Sequence, residues 1–187
     1  MSHMTGARFG DIVGASDLTK RAIADVMKYV YMTQVQKESI PIVMTGKDVF
    51  VKAKTGTGKT LAFLIPAIDV LISEKRAYAA QGLTPATSAR PMVLVLSPTR
   101  ELAQQIAKEA QALCTYHHFS VTTLVGGTNM RPDVRALLNP QGCDIVVATP
   151  GRMLAHMQET PGVPQICSGV KVLVLDEADR LLDMVSE

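Results

Sequence analysis

Eight residues constrain this chain most: Ala53-Lys54-Thr55-Gly56-Thr57-Gly58-Lys59-Thr60, set directly after the apolar Val49-Phe50-Val51. A strand, a glycine-rich turn, Lys-Thr and then a helix form the context of a phosphate-binding loop. Gly56 and Gly58 allow positive φ, so successive N–H groups can turn inward around an anion. Lys59 would place a cation among β- and γ-phosphate oxygens, and Thr60 would offer a hydroxyl to Mg²⁺. Leu61 to Ile72 reads as the helix whose N-terminus favours the anion. Pro66 predicts a local end or kink within it. The full pattern asks for Gly where Ala53 stands, so the loop is a variant.

A second cluster, Asp176-Glu177-Ala178-Asp179, follows Val172-Leu173-Val174-Leu175. Four apolar residues suit a buried parallel strand with carboxylates at its C-terminal edge, where open α/β sheets bind ligands. Asp176 suits Mg²⁺. Glu177 suits aligning, or taking a proton from, the water that attacks a γ-phosphate. Asp179 and Arg180 either anchor neighbouring loops or cap the next helix.

Between these clusters the pattern alternates. A helix is predicted from about Asp17 to Val30, with Ile23, Val26, Met27 and Val30 on one stripe, and a short one over Val35 to Val43. Strands are predicted over Met92 to Leu96, Val121 to Val125 and Ile145 to Ala148. A helix from Pro98-Thr99-Arg100 to about Leu113 lies between the first two. The alternation predicts an α/β domain, its sheet mostly parallel with helices on both faces. Residues 73 to 91 hold Gly82, Pro85, Ser88 and Pro91 and read as a long surface loop. Three cysteines, Cys114, Cys143 and Cys167, show no metal or redox spacing, which predicts a reducing intracellular setting. No apolar run approaches a membrane span. Met1-Ser2-His3-Met4 resembles a cloning scar, and residues 1–8 are expected to be a flexible start.

Together the two clusters resemble a DEAD-box ATP-dependent RNA helicase. Further matches follow in the family's order: Gln36 in Met32-Thr33-Gln34-Val35-Gln36, Pro98-Thr99-Arg100-Glu101-Leu102, Gly126-Gly127, and Thr149-Pro150-Gly151-Arg152. The resemblance spans residues 9 to 184. It implies a RecA-like domain over residues 49–187 behind a helical region over 9–48. Lys59, Asp176 and Glu177 would be catalytic. ATP would be held by Phe9, Gln36, Thr55, Gly56, Thr57, Gly58, Lys59 and Thr60, with Phe9 stacked on adenine and Gln36 reading its edge. Mg²⁺ would sit between Thr60 and Asp176. Gln34 stands where a proline is common and Lys28 where a glycine is common.

The resemblance also implies RNA as partner, contacted through Pro98, Thr99, Arg100, Gly127, Thr149 and Arg152. Each group would follow a strand end, where hydroxyls, guanidinium groups and helix N–H groups suit a backbone phosphate. Capping of the next helix competes with that use. With no Trp, four Tyr and four Phe, no base-stacking platform is visible, so sugar–phosphate contact without sequence reading is expected. A net charge of +2 is too small to diagnose nucleic acid.

The family's next element, a Ser-Ala-Thr strand between the phosphate-loop strand and the Asp176 strand, does not follow. Neither does a second RecA-like domain. The sheet is therefore expected to be incomplete, with unpaired backbone groups at the gap, and this stretch alone to be inactive. Protein cofactors of the parent are a further expectation. An ATP-latched RNA clamp that does not unwind uses the same residues and is the alternative reading.

Overall fold

A computed structural model describes residues 4–82, 92–139 and 143–184. The chain divides into two compact units, Met1–Ile72 with Glu109–His118, and Ser73–Lys108 with Phe119–Glu187. This division differs from the expected boundary at residue 49, because two long helices each contribute to both units.

In the first unit, β1 (Met4–Arg8) pairs antiparallel with β2 (Tyr31–Thr33). The expected flexible start is therefore a strand from Met4 onward. Helix α1 (Asp17–Asp25) begins at Ser16, whose side chain accepts from the Thr19 N–H. It stops five residues before the expected end. Lys28 adopts φ 61°, a left-handed conformation that ends a helix and favours glycine. Consequently Ile23 is buried while Val26 and Val30 are 41% and 52% exposed, so the expected stripe is cut short.

Helix α2 (Gln34–Val43) follows a reciprocal cap: the Thr33 hydroxyl accepts from the Gln36 N–H, and Gln36 Oε1 accepts from the Thr33 N–H at 2.8 Å. Helix α3 (Lys59–Ala80) continues through Pro66 and eight residues beyond the expected end at Ile72. Ser73 to Ala80 is rich in Ala, Glu, Lys and Arg, good helix formers, and Gly82 comes only afterwards. The rest of the predicted 73–91 loop lies outside the described residues from position 83. Buried Ile12, Ile23, Ile40, Leu61, Leu64, Ile65 and Ile68 form this unit's core.

The second unit is built on a parallel sheet of β3 (Val93–Leu96), β4 (Val121–Leu124), β5 (Ile145–Ala148) and β6 (Val172–Leu175), in the order β4-β5-β3-β6. Every residue of β5, the Val/Ile-rich central strand, is buried. Helix α4 (Arg100–Leu113) buries Ala103, Ile106, Ala107, Ala110 and Leu113, spacings that fall on one helical face. Leu124, Leu137, Val146, Ala148, Met153 and Val163 make a core cluster with Cys143. Burial pushes the Cys143 thiol up to about 11, which suits a packing role rather than a reactive one. At the N-terminal ends of β4 and β5, Asp144 accepts from the Ser120 N–H at 2.7 Å and pairs with Lys75 at 2.6 Å.

Among the described residues β6 pairs with β3 alone, so its outer edge is open. The expected strand at Val49-Phe50-Val51 does not form: residues 47–54 have no regular structure, and Phe50 is 84% exposed. A strand exists by virtue of its ladder partner, and none of the described strands supplies one here. No helix among the described residues is long and apolar enough to cross a membrane.

Candidate nucleotide and nucleic-acid sites

The ladder register sets the second unit's chemistry. Leu96 is level with Ala148 on one side and Leu175 on the other, and Leu124 is level with Ala148. The four strands therefore end side by side. Their next residues are Ser97-Pro98-Thr99, Val125-Gly126-Gly127, Thr149-Pro150 and Asp176-Glu177. Motifs separated by up to about eighty positions in sequence become neighbours on one sheet edge, the edge at which open α/β sheets bind ligands.

An open groove of about 510 Å³ lies along this edge, lined by Pro98, Thr99, Arg100, Gly126, Thr149 and Arg152 among others. Five of the six expected RNA contacts line it. The sixth, Gly127, packs against the Arg100 guanidinium: a Cβ there would overlap the terminal nitrogen, and φ is +79°. The left-handed φ is what demands glycine, since the exposed Arg100 side chain is free to shift away from a Cβ. Arg100 itself is exposed and forms no ion pair among the described residues.

Helix capping accounts for only part of the motif. The Thr99 hydroxyl accepts from the Leu102 N–H at 3.3 Å, so this residue does cap α4. Thr149 precedes α6 (Pro150–Glu159) as its N-cap but makes no side-chain capping bond. Its hydroxyl remains available to a ligand in the groove. Arg152 is only 9% exposed, and its Nε donates to Asp133 at 2.8 Å. Asp133 lies on α5 (Met130–Leu137).

At the end of β6, the Asp176 N–H donates to the Leu96 carbonyl at 2.9 Å, which holds the acidic turn to the sheet. Glu177 starts α8 (Ala178–Asp183) from a left-handed conformation, φ 50° and ψ 53°. This geometry is costly outside glycine and clusters at functional sites. Its buried Oε2 has no hydrogen-bond partner among the described residues. Arg180 approaches that oxygen to 3.2 Å, but this is charge proximity and not a directed bond. A strained, partly orphaned carboxylate at a strand end is what a water-aligning group would present. No group of three or more His, Cys, Asp or Glu side chains suited to a metal occurs among the described residues.

In the first unit, Gly56 and Gly58 take φ 76° and 87°, as the loop reading requires. Lys59 opens α3, and its Nζ donates to the Ala53 carbonyl at 2.8 Å. Thr57 is buried and donates to the Lys54 carbonyl at 2.8 Å. Thr55 and Gly56 are exposed, and Thr60 lies in the first turn of α3. Gln36 is 3% exposed, and its Nε2 donates to the Gly58 carbonyl at 2.9 Å. With Oε1 on Thr33, its amide bridges the α2 cap and the loop, with one N–H and one oxygen lone pair to spare. A Cβ on Gly58 would overlap that amide. Phe9 is 3% exposed, in a 3₁₀ turn over Phe9–Asp11. The ring expected to stack on adenine is spent on packing, with no open face. The Thr33-x-x-Gln36 spacing is a capping-box signal that identifies Gln36 as structurally engaged. Asp133 and His156 carry no comparable motif.

Residues 33–187 match the family model described as DEAD/DEAH box helicase. A DEAD-box ATP-dependent RNA helicase 26 of Oryza sativa subsp. japonica is 48% identical over 98% of the chain, which spans 32% of that protein. A DEAD-box ATP-dependent RNA helicase 31 of Arabidopsis thaliana is 46% identical over 98% of the chain, which spans 25% of it. The chain thus corresponds to about a third or less of these relatives. Among solved structures, the yeast DEAD-box splicing factor Prp28 superposes with TM-score 0.79 at 31% identity, covering 96% of this chain and 40% of that one. Prp28 from Chaetomium thermophilum bound to ADP gives 0.78 at 31% identity, covering 98% and 41%. Motif order, the aligned strand ends of a RecA-like sheet and these likenesses converge: the chain belongs to the DEAD/DEAH box helicase family.

Proposed function

We propose that this chain forms the first RecA-like domain of an ATP-dependent RNA helicase, binding Mg·ATP and the sugar–phosphate backbone of RNA. The observation that carries this reading is the register that lines up the Thr99, Gly126, Thr149 and Asp176 turns along one sheet edge. RNA phosphates would lie in the groove against Arg100, the Thr149 hydroxyl and the turn at Gly126-Gly127. The absence of an aromatic platform agrees with backbone recognition. Lys59 would leave the Ala53 carbonyl for β- and γ-phosphate oxygens. Thr60 and Asp176 would hold Mg²⁺, whose chemistry is to neutralise charge on the transferring phosphoryl group. Glu177 would align the attacking water and accept its proton. Gln36 would offer adenine its remaining amide N–H and Oε1 lone pair. A second RecA-like domain of the parent would complete both sites.

The test uses the full-length protein, a short RNA duplex and ATP. Strand separation that requires ATP, together with RNA-stimulated hydrolysis, is the expected result. Hydrolysis indifferent to RNA, with no strand release, would overturn the reading.

A further inference from the structure

The groove contains two arginines in unlike settings. Arg100 is exposed and without an ion pair among the described residues, its guanidinium laid against Gly127. Arg152 is enclosed. Its Nε lies 2.8 Å from Asp133 Oδ2, with side-chain exposures of 8% and 12%. The same oxygen meets His156 Nε2 at 3.2 Å. His156 is fully buried, and its Nδ1 lies 3.0 Å from the Thr160 hydroxyl. At the other end, a terminal nitrogen of Arg152 donates to Thr128 Oγ1 at 3.4 Å, and that hydroxyl donates to the Val125 carbonyl at 3.0 Å. One continuous polar chain therefore runs from Thr160 on the far end of α6, through α5, to the turn that carries Gly126-Gly127.

A phosphate in the groove meets these arginines differently. Arg100 offers a whole charge. Arg152 offers one end of a buried pair whose negative partner is 2.8 Å away, so its field falls off as a dipole. We propose that Arg152 is a positioning residue that adds no net charge to the RNA groove: clamped by Asp133 and His156, it fixes the Gly126-Gly127 turn and the start of α6 at Thr149, and Arg100 is the groove's charge-bearing phosphate contact. The proposal rests on the RNA-binding reading given above.

Counterion release separates charge from position. Each phosphate neutralised on a single strand contributes about 0.7 to the slope of log affinity against log salt. The experiment titrates an oligouridylate against the full-length protein across potassium chloride concentrations, with a non-hydrolysable ATP analogue present. Arg100→Gln is expected to flatten the slope by about 0.7. Asp133→Asn should steepen the slope, because it unmasks the Arg152 charge. Arg152→Gln alone should flatten it, because it unmasks the Asp133 carboxylate. The charge-balanced double variant Asp133→Asn/Arg152→Gln should therefore weaken binding with the parental slope. Flattening by the double variant equal to that of Arg100→Gln, or an unchanged slope in Asp133→Asn, overturns the proposal. If Asp133→Asn unfolds, the double variant alone decides: a parental slope supports the proposal and a flattened one overturns it. Should Arg100→Gln alter neither affinity nor slope, the RNA-binding reading itself fails, a separate outcome.

Discussion

The phosphate loop and the groove belong to different units and hold their polar groups in different ways. In the loop, polar groups satisfy one another: Lys59 on Ala53, Thr57 on Lys54, Gln36 on Gly58. In the groove, the Thr149 hydroxyl is uncommitted to capping and Arg100 is unpaired among the described residues. The difference follows from what supports each. The groove's turns leave strands locked in a ladder, so their geometry exists before any ligand arrives. The loop follows residues 47–54, which have no ladder, and its donors fall back onto its own carbonyls. On the proposed reading, Lys59 at the loop would turn from the Ala53 carbonyl to a phosphate, whereas the groove would add bonds to groups already placed, and preorganisation of that kind favours affinity.

The sharpest attempt to break this contrast acts on turnover. In the full-length protein, Glu177→Gln is expected to lower ATP hydrolysis by about 10²- to 10⁴-fold, the usual contribution of a positioned base. ATP affinity should be retained, while Lys59→Ala should abolish it. Equilibrium nucleotide binding beside steady-state turnover checks both, and equal loss of binding in the two variants would remove the role given to Glu177.

Next comes the groove's rigidity. Gly127→Ala places a methyl against the Arg100 guanidinium and forces a left-handed alanine, a strain of roughly 1–2 kcal/mol. About a tenfold loss of RNA affinity is expected, since 1.4 kcal/mol corresponds to that factor. ATP affinity should not move. RNA binding at parental strength would show that the turn is not preformed for its ligand.

Gln36→Ala probes the loop's internal satisfaction. It removes two hydrogen bonds from a buried site and leaves the Gly58 carbonyl without that donor, a loss of about 1–3 kcal/mol. Thermal melting should report the loss, and amide exchange should rise in the loop but not along β5. An unchanged melting temperature would mean the loop is not held by this side chain. The smallest effect is a control at a residue that belongs to neither site. Lys28→Gly should stabilise by about 1 kcal/mol through relief of its left-handed conformation. Parental ATP and RNA affinities should accompany the higher melting temperature.

Much of this was legible in the sequence where local pattern and tertiary context agree. Ile145 to Ala148 and Val172 to Leu175 are strands with the expected bounds, and α4 ends at the expected Leu113, because apolar runs and punctuating Pro, Gly and Asp coincide there. Val49 to Val51 has the same composition but lacks a neighbour, and composition cannot supply one. Pro66, expected to end or kink its helix, does not end it: the buried proline sits inside α3, which runs on to Ala80. The α1 terminus was missed because a lysine carries the left-handed conformation. Site residues at strand ends were visible as motifs. The enclosed setting of Arg152 was not, since Asp133 comes near it only through packing of α5 against α6, although His156 lies one helical turn on along α6.

The open side of β6 has a practical consequence. Leu173 and Leu175 are 57% and 52% exposed beside a row of backbone groups with no ladder on that flank among the described residues. Such a rim is a template for intermolecular strand addition. Purified at high concentration, this polypeptide should drift toward oligomers, and a charged substitution at Leu173 should keep it dispersed.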